Sequence, residues 1–315
     1  MGNKTKILKS IGNTPLIDLS RVAPDGCARI LVKLESHNPT GSMKDRMALA
    51  VVAGAVSRGA LAPGGTVIEY TGGSTGTSLA FVCAAMGYGL SIVTSDAFSL
   101  EKRNHMRALG AHVLELPSQG GGTTKELIQR MMAKAKELSA SPDSFFADQF
   151  NNPDAASGYG SMAGEIWDQS GKKADAFVQC VGTAQCIKGV SGGLREKNSR
   201  IRIVAVEPDE SPVLSGGAPG AHKIEGVGPG FIPPVWKAGL ADEIIRVSTH
   251  EAKEMARRLA REEALFAGTS TGANIVAAIR VAARLGTGHT VVTIACDSGL
   301  KYLSTDLYTW IESAS

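Results

Sequence analysis

Short, β-branched apolar runs alternate with longer amphipathic runs along almost the whole chain. Residues 28–35, 66–71, 90–96, 112–117, 176–181, 202–208, 243–248 and 290–297 are apolar with few interruptions, which predicts strands. Near-continuous apolar character is the mark of strands covered on both faces. Helical periodicity fills the intervals, over 45–58, 75–86, 100–109, 124–138, 155–169, 250–264 and 271–285. The alternation predicts an α/β fold of open, twisted, mainly parallel sheets flanked by helices. The longest irregular stretch, 215–234, is rich in Gly and Pro. A loop of that length inside a compact domain is more often functional than idle.

A chain of 315 residues has room for about two domains. Its hydrophobic fraction of 43% against 20% charged is that of an ordinary globular protein. The formal net charge of +3 gives no basis for nucleic-acid or membrane-surface binding. Five cysteines, Cys27, Cys83, Cys180, Cys186 and Cys296, show neither paired disulfide spacing nor a C-x-x-C metal pattern. Reduced thiols in a cytoplasmic protein are the simplest account, with no metal site. The N-terminal residues lack the apolar core of a signal peptide. Gly2 follows Met1, but Lys6 spoils a myristoylation pattern. No apolar run approaches a membrane span.

The candidate chemistry begins at Asn38-Pro39-Thr40-Gly41-Ser42-Met43-Lys44-Asp45-Arg46, between a predicted strand and a predicted helix. Asn-Pro and Thr-Gly form turns, which places Lys44 in the first turn of the helix. A neutral, nucleophilic amine is least disfavoured at that positive end.

This nonapeptide resembles the lysine signature of the cysteine synthase and cystathionine β-synthase family, whose fold is that of tryptophan synthase β. The resemblance extends through Ile11-Gly12-Asn13-Thr14-Pro15-Leu16, Ser99-Leu100-Glu101-Lys102-Arg103, Gln149-Phe150, Val206-Glu207-Pro208, the 226–233 loop with Gly228, and Lys301-Tyr302-Leu303-Ser304. It implies a pyridoxal 5′-phosphate enzyme in which Lys44 holds the cofactor as a Schiff base. It also implies two α/β domains, a smaller one over 44–150 and a larger one combining 1–43 with 151–315, with the cofactor in the cleft between them.

Three glycine-rich loops take their roles from the same resemblance. Thr71-Gly72-Gly73-Ser74-Thr75-Gly76 opens a helix, and free N–H groups at a helix start attract anions. The family uses this loop, with Gln149, for the substrate carboxylate. Its pattern reads Thr-Ser-Gly-Asn-Thr-Gly, the Asn contacting the cofactor's 3′-oxygen. Here Gly72 and Ser74 depart from it, and Gly72 is expected to free volume for a larger amino acid or nucleophile. Gly182-Thr183-Ala184-Gln185-Cys186 stands where the family's Gly-Thr-Gly-Gly-Thr cradles the phosphate. Its backbone donors survive the substitutions, though Cys186 loses a hydroxyl. Gly268-Thr269-Ser270-Thr271-Gly272 resembles Gly-Ile-Ser-Ser-Gly and implies that Thr271 meets the pyridine nitrogen. A family histidine near the entrance is replaced, by alignment, in the stretch holding Gly158 and Tyr159. Cys296 is expected to be a buried structural thiol.

The implied reaction is β-replacement on an O-activated serine, with sulfide or a related nucleophile, by way of an aminoacrylate. Stopping half-way would make the protein a lyase or desulfhydrase, and an amine or homocysteine would make a different product. From another class, the altered loops fit a cofactor-binding protein with little catalysis. A homodimer and a serine acetyltransferase partner are further expectations of the family.

Overall fold

The computed structural model describes residues 6–118 and 124–309, so the expectation about Gly2 lies outside the described residues. In chain order the strands are β1 (Leu16–Leu19), β2 (Arg29–Leu34), β3 (Thr66–Tyr70), β4 (Gly89–Ser95), β5 (His112–Leu116), β6 (Ser144–Phe146), β7 (Ala176–Cys180), β8 (Arg202–Pro208), β9 (Glu243–Val247) and β10 (Thr290–Ala295). The helices are α1 (Lys44–Ser57), α2 (Ser74–Met86), α3 (Leu100–Ala108), α4 (Lys125–Ser139), α5 (Asp154–Ser157), α6 (Gly160–Gln169), α7 (Gln185–Lys197), α8 (Thr249–Glu262) and α9 (Thr269–Leu285).

The strands form two sheets. One runs β1-β2-β10-β7-β8-β9 and the other β5-β4-β3-β6. Every pairing is parallel except that of β1 with β2. Burial explains the continuous apolar runs: every residue of β7 and of β10 is buried, as central parallel strands covered by helices must be. One core cluster spans both sheets, joining Leu31 and Phe177 to Val67 and Ile92 through Met47 and Val51 of α1. A second packs the other face of the six-stranded sheet against α8 and α9. Local signals agree with these boundaries. Ser248 and Glu251 form a capping box at the start of α8, and Thr124 caps α4 by accepting the Leu127 N–H.

All eight predicted strands are present, but β1 and β6 are additions. Both are edge strands of four and three residues, too short to leave a periodic trace. The helix predicted over 155–169 is interrupted. The chain turns at Gly158, which presses on α1 so closely that a Cβ there would lie 2.6 Å from the Arg46 carbonyl. Helix α7 was not among the predicted helices. Its sequence, QCIKGVSGGLREK, carries three glycines that blur the periodicity.

Candidate active site

The parallel strands end on one side, and the functional loops leave from those ends, where open α/β sheets place their ligands. The Thr71–Ser74 loop follows β3, Gly182–Ala184 follows β7 and 296–298 follows β10. The loop before α1 is bound to the last of these by backbone bonds. Met43 N–H donates to the Cys296 carbonyl (2.9 Å) and Ser298 N–H to the Gly41 carbonyl (2.9 Å).

The polar residues around Lys44 prove to be braces. Asn38 donates its amide to Glu35 Oε2 (2.8 Å) and accepts the Gly12 N–H (2.8 Å). Thr14 donates to Glu35 Oε1 (2.6 Å). Asp45 accepts both the N–H (2.8 Å) and the hydroxyl (2.5 Å) of Thr40, closing the turn on itself. Arg46 donates from Nε and Nη2 to Glu35 (2.7 and 2.9 Å), and from Nη1 and Nη2 to Glu165 (2.7 Å each). Its Nη1 also reaches Ser161 Oγ (3.0 Å). Lys33 adds an ion pair to Glu165 (2.7 Å). Despite desolvation, Arg46 and Lys33 hold the Glu165 carboxyl down at about 2. Two buried cations thus face two carboxylates, and Lys44 opens α1 directly after a braced turn.

A cavity of about 1090 Å³ opens beside Lys44. Its wall contains Lys44, all of Thr71, Gly72, Gly73, Ser74, Thr75 and Gln149, and also Gly182, Thr183, Ala184, Cys186 and Gly228. Two expected cofactor residues are not in that wall. The buried Gln185 side chain turns away and donates to the carbonyls of Phe150 (3.1 Å) and Asn152 (3.4 Å), pinning the polar turn there. Thr271 is fully buried, and its hydroxyl accepts the Cys296 N–H (3.0 Å). One residue earlier, Ser270 lines the cavity. The helix α9 phase accounts for the difference, because neighbours differ by about 100° around a helix.

The Thr71–Thr75 loop is ordered by its own hydroxyls. Thr71 Oγ1 accepts the Gly73 N–H (3.1 Å), and Thr75 donates to Gln149 Oε1 (2.8 Å). Ser74 donates to Asp297 Oδ2 (3.0 Å), which also accepts the Tyr302 hydroxyl (2.8 Å). Asp297 Oδ1 and the Nζ of Lys301 are buried with no hydrogen-bond partner, and burial lowers the Lys301 ammonium to about 8. Cys296 lines the cavity with its thiol pushed up to about 11 by burial, which suits a structural rather than a nucleophilic thiol. Tyr159 and Lys102 also line the wall, Lys102 paired with Glu225 (2.5 Å) and lying 4.2 Å from the Tyr302 ring centroid. Sequence reasoning missed Lys102, Glu225, Phe98 and Ser270 as wall residues. Lys102, Ser270 and, in the 215–234 stretch, Glu225 lay within segments already singled out; Phe98 did not.

The 182–187 segment fits a phosphate. Ala184 holds a left-handed conformation (φ 63°) at the N-cap of α7. The N–H groups of the first helical turn have no partner inside the helix and point out of its end. Gly182 must be glycine for this packing, since a Cβ would run into the Gly226 carbonyl. An amine, an anion nest and a second N–H-rich loop facing one cavity match an aldehyde-bearing phosphate cofactor and an amino acid.

Comparison with known proteins agrees. A model of the family "Pyridoxal-phosphate dependent enzyme" matches residues 7–297. The chain belongs to this family. A cysteine synthase of Staphylococcus aureus is 44% identical over 306 residues, covering 96% of this chain and 97% of the relative. The crystal structure of a cysteine synthase from Entamoeba histolytica superposes with a TM-score of 0.89 at 38% identity, covering 98% of this chain and 92% of that one. That of an O-ureido-L-serine synthase gives 0.90 at 38%, covering 98% and 96%. The protein is therefore a pyridoxal-phosphate enzyme with the tryptophan-synthase-β-like fold.

Proposed function

We propose that the protein catalyses β-replacement on O-acetylserine, exchanging the acetoxy group for sulfide or a related nucleophile and forming cysteine or an analogue. The observation that carries this reading is the shared cavity. Lys44, the Thr71–Thr75 loop with Gln149, and the Gly182–Cys186 nest all face one space. Similarity to cysteine synthases over nearly the whole chain supports the choice of substrate.

Bound pyridoxal phosphate supplies an electron sink for the negative charge left on Cα of the amino acid. The nest at 182–186, with the Thr183 hydroxyl, would hold the phosphate, Lys44 Nζ the aldehyde carbon, and Ser270 the ring nitrogen. Thr71–Thr75 and Gln149 would orient the substrate carboxylate. Lys44 Nζ, when free of the cofactor, would be the base placed to take the Cα proton and later return it. The acetoxy group leaves from Cβ as acetate, and sulfide adds there. Ser74, which donates to Asp297 Oδ2, would meet the cofactor as part of a Ser-Asp pair.

The residue division into 44–150 and 1–43 plus 151–315, a homodimer, and a serine acetyltransferase partner belong to the same proposal and rest on family likeness. Among the described residues no helix is long and apolar enough to cross a membrane. Five cysteines without a disulfide support a cytoplasmic setting. The test is to supply O-acetylserine and sulfide to purified protein and follow cysteine. Turnover is expected, with loss of both turnover and yellow colour in Lys44→Ala. Pyruvate without cysteine would assign elimination instead.

A further inference from the structure

The space expected beside Gly72 is filled. A Cβ at Gly72 would lie 2.5 Å from Cδ1 and 2.7 Å from Cζ of Phe98, so the ring occupies the volume of a loop side chain. Gly73 is covered in the same way by the stem of Lys102, whose Cδ would lie 2.5 Å from a Cβ there. Phe98 is held by its backbone. Its N–H donates to the Ser95 carbonyl (3.2 Å), and its carbonyl accepts Arg103 Nε (3.2 Å). The next residue, Ser99, donates its hydroxyl to the Lys301 carbonyl (3.1 Å). The ring therefore sits on Gly72 from a fixed base. The same cavity wall carries Tyr70, Ile128, Met131 and Phe150, which pack with Phe98 in one apolar cluster.

The geometry points to Phe98 as a specificity-determining residue, coupled to Gly72, that selects an uncharged acyl substituent on the substrate's Cβ. The inference rests on the β-replacement reading above. In a serine ester, two carbons, Cα and Cβ, separate the carboxyl carbon from the ester oxygen. A ring seated on the carboxylate loop therefore lies within van der Waals reach of the Cβ substituent. An acetyl methyl gains by leaving water against that ring. A phosphate dianion would shed its hydration against that ring. Lys102, the cation on the neighbouring glycine, is already paired with Glu225. Gly72 is what admits the ring, so positions 72 and 98 are readable only together.

The test compares wild type, Phe98→Ala, Gly72→Ser and the double variant, all as cofactor-loaded protein. O-acetylserine and O-phosphoserine are each supplied with sulfide, and amino-acid dissociation constants are measured by calorimetry as a second readout. Wild type should favour O-acetylserine by tenfold or more in kcat/KM. Phe98→Ala should shrink that preference at least threefold. Gly72→Ser should weaken O-acetylserine binding at least fivefold, and adding Phe98→Ala should restore most of it. A Gly72→Ser variant that binds like wild type, a double variant no better than Gly72→Ser, or an unchanged preference in Phe98→Ala would each overturn the assignment. Wild type that turns over neither ester would sink the β-replacement reading. The binding cycle would still decide the coupling of 72 and 98.

Discussion

Arg46 offers the sharpest stability test, because its guanidinium has five N–H donors and all five are used. Nε meets Glu35, Nη1 meets Glu165 and Ser161, and Nη2 meets Glu35 and Glu165. The Arg46 and Glu35 side chains are 2% and 0% exposed, and Glu165 is 16% exposed. Arg46→Met leaves two carboxylates facing Lys33 alone, one negative charge uncompensated. Removing one partner of a buried pair costs about 3–5 kcal/mol. Arg46→Lys keeps the charge but offers at most three donors without the planar fork, so a loss of about 2–3 kcal/mol is expected. The pH dependence has a definite sign. Glu165 is held at about 2, below its ordinary 4.5, so its contribution is present above about 4.5 and lost as pH falls through about 2. Urea unfolding of wild type and both variants between pH 7 and pH 3 measures this. The acid-dependent loss should be blunted in Arg46→Met. Arg46→Lys within about 0.5 kcal/mol of wild type would refute the five-donor account.

The other predictions follow from the cavity wall. Thr183→Ala removes one hydroxyl from the nest and should weaken cofactor retention roughly two- to tenfold, corresponding to about 0.5–1.5 kcal/mol, as read by dialysis against cofactor-free buffer; unchanged retention would exclude Thr183 as a donor. Ser270→Ala should shift the cofactor's visible spectrum, whereas Thr271→Ala should cost about 1 kcal/mol of stability through the Cys296 N–H it leaves unpaired. The opposite pattern would return the ring contact to Thr271. Burial raises the Glu69 carboxyl to about 8, although it accepts the Tyr70 and Gln149 N–H groups. Its stabilising contribution is thus present below about 4.5 and lost as pH rises through about 8. Glu69→Gln should gain relative to wild type between pH 5 and 8 in thermal unfolding, and a constant difference would contradict the burial argument.

How much of this was legible in the sequence depended on backbone more than on side chains. The eight long strands and the turn before Lys44 follow from periodicity and turn chemistry, which act over a few residues, whereas the anion roles of the loops came from the family resemblance. What the sequence left open needed a third dimension. Gly72 looked like vacated space because Phe98, 26 positions later, is invisible from the loop. Thr271 and Ser270 were separable only once α9 had a phase. Gln185 sat in a phosphate-loop pattern, yet its side chain serves the turn after β6. Asn38 and Arg46 were recognisable as part of a motif, but their work, clamping Glu35, required Glu35 and Glu165 to be brought together from 130 positions apart.

The two halves of the site are fastened by different kinds of bond. The Lys44 loop is joined to the end of β10 through main-chain groups, Met43 to Cys296 and Ser298 to Gly41, which no substrate displaces without breaking the fold. The carboxylate loop and α3 meet the six-stranded sheet and its loops through side chains: Ser74 on Asp297, Lys102 on Glu225, and Ser304 N–H on Glu101 (2.6 Å). Each of these can be exchanged singly, at about the cost of one hydrogen bond or a partly exposed ion pair. A cofactor must be held through every turnover, while an amino acid must enter and leave. In the proposed site the permanent ligand would accordingly sit on the main-chain side, and the transient one on the side whose contacts a carboxylate could replace one at a time.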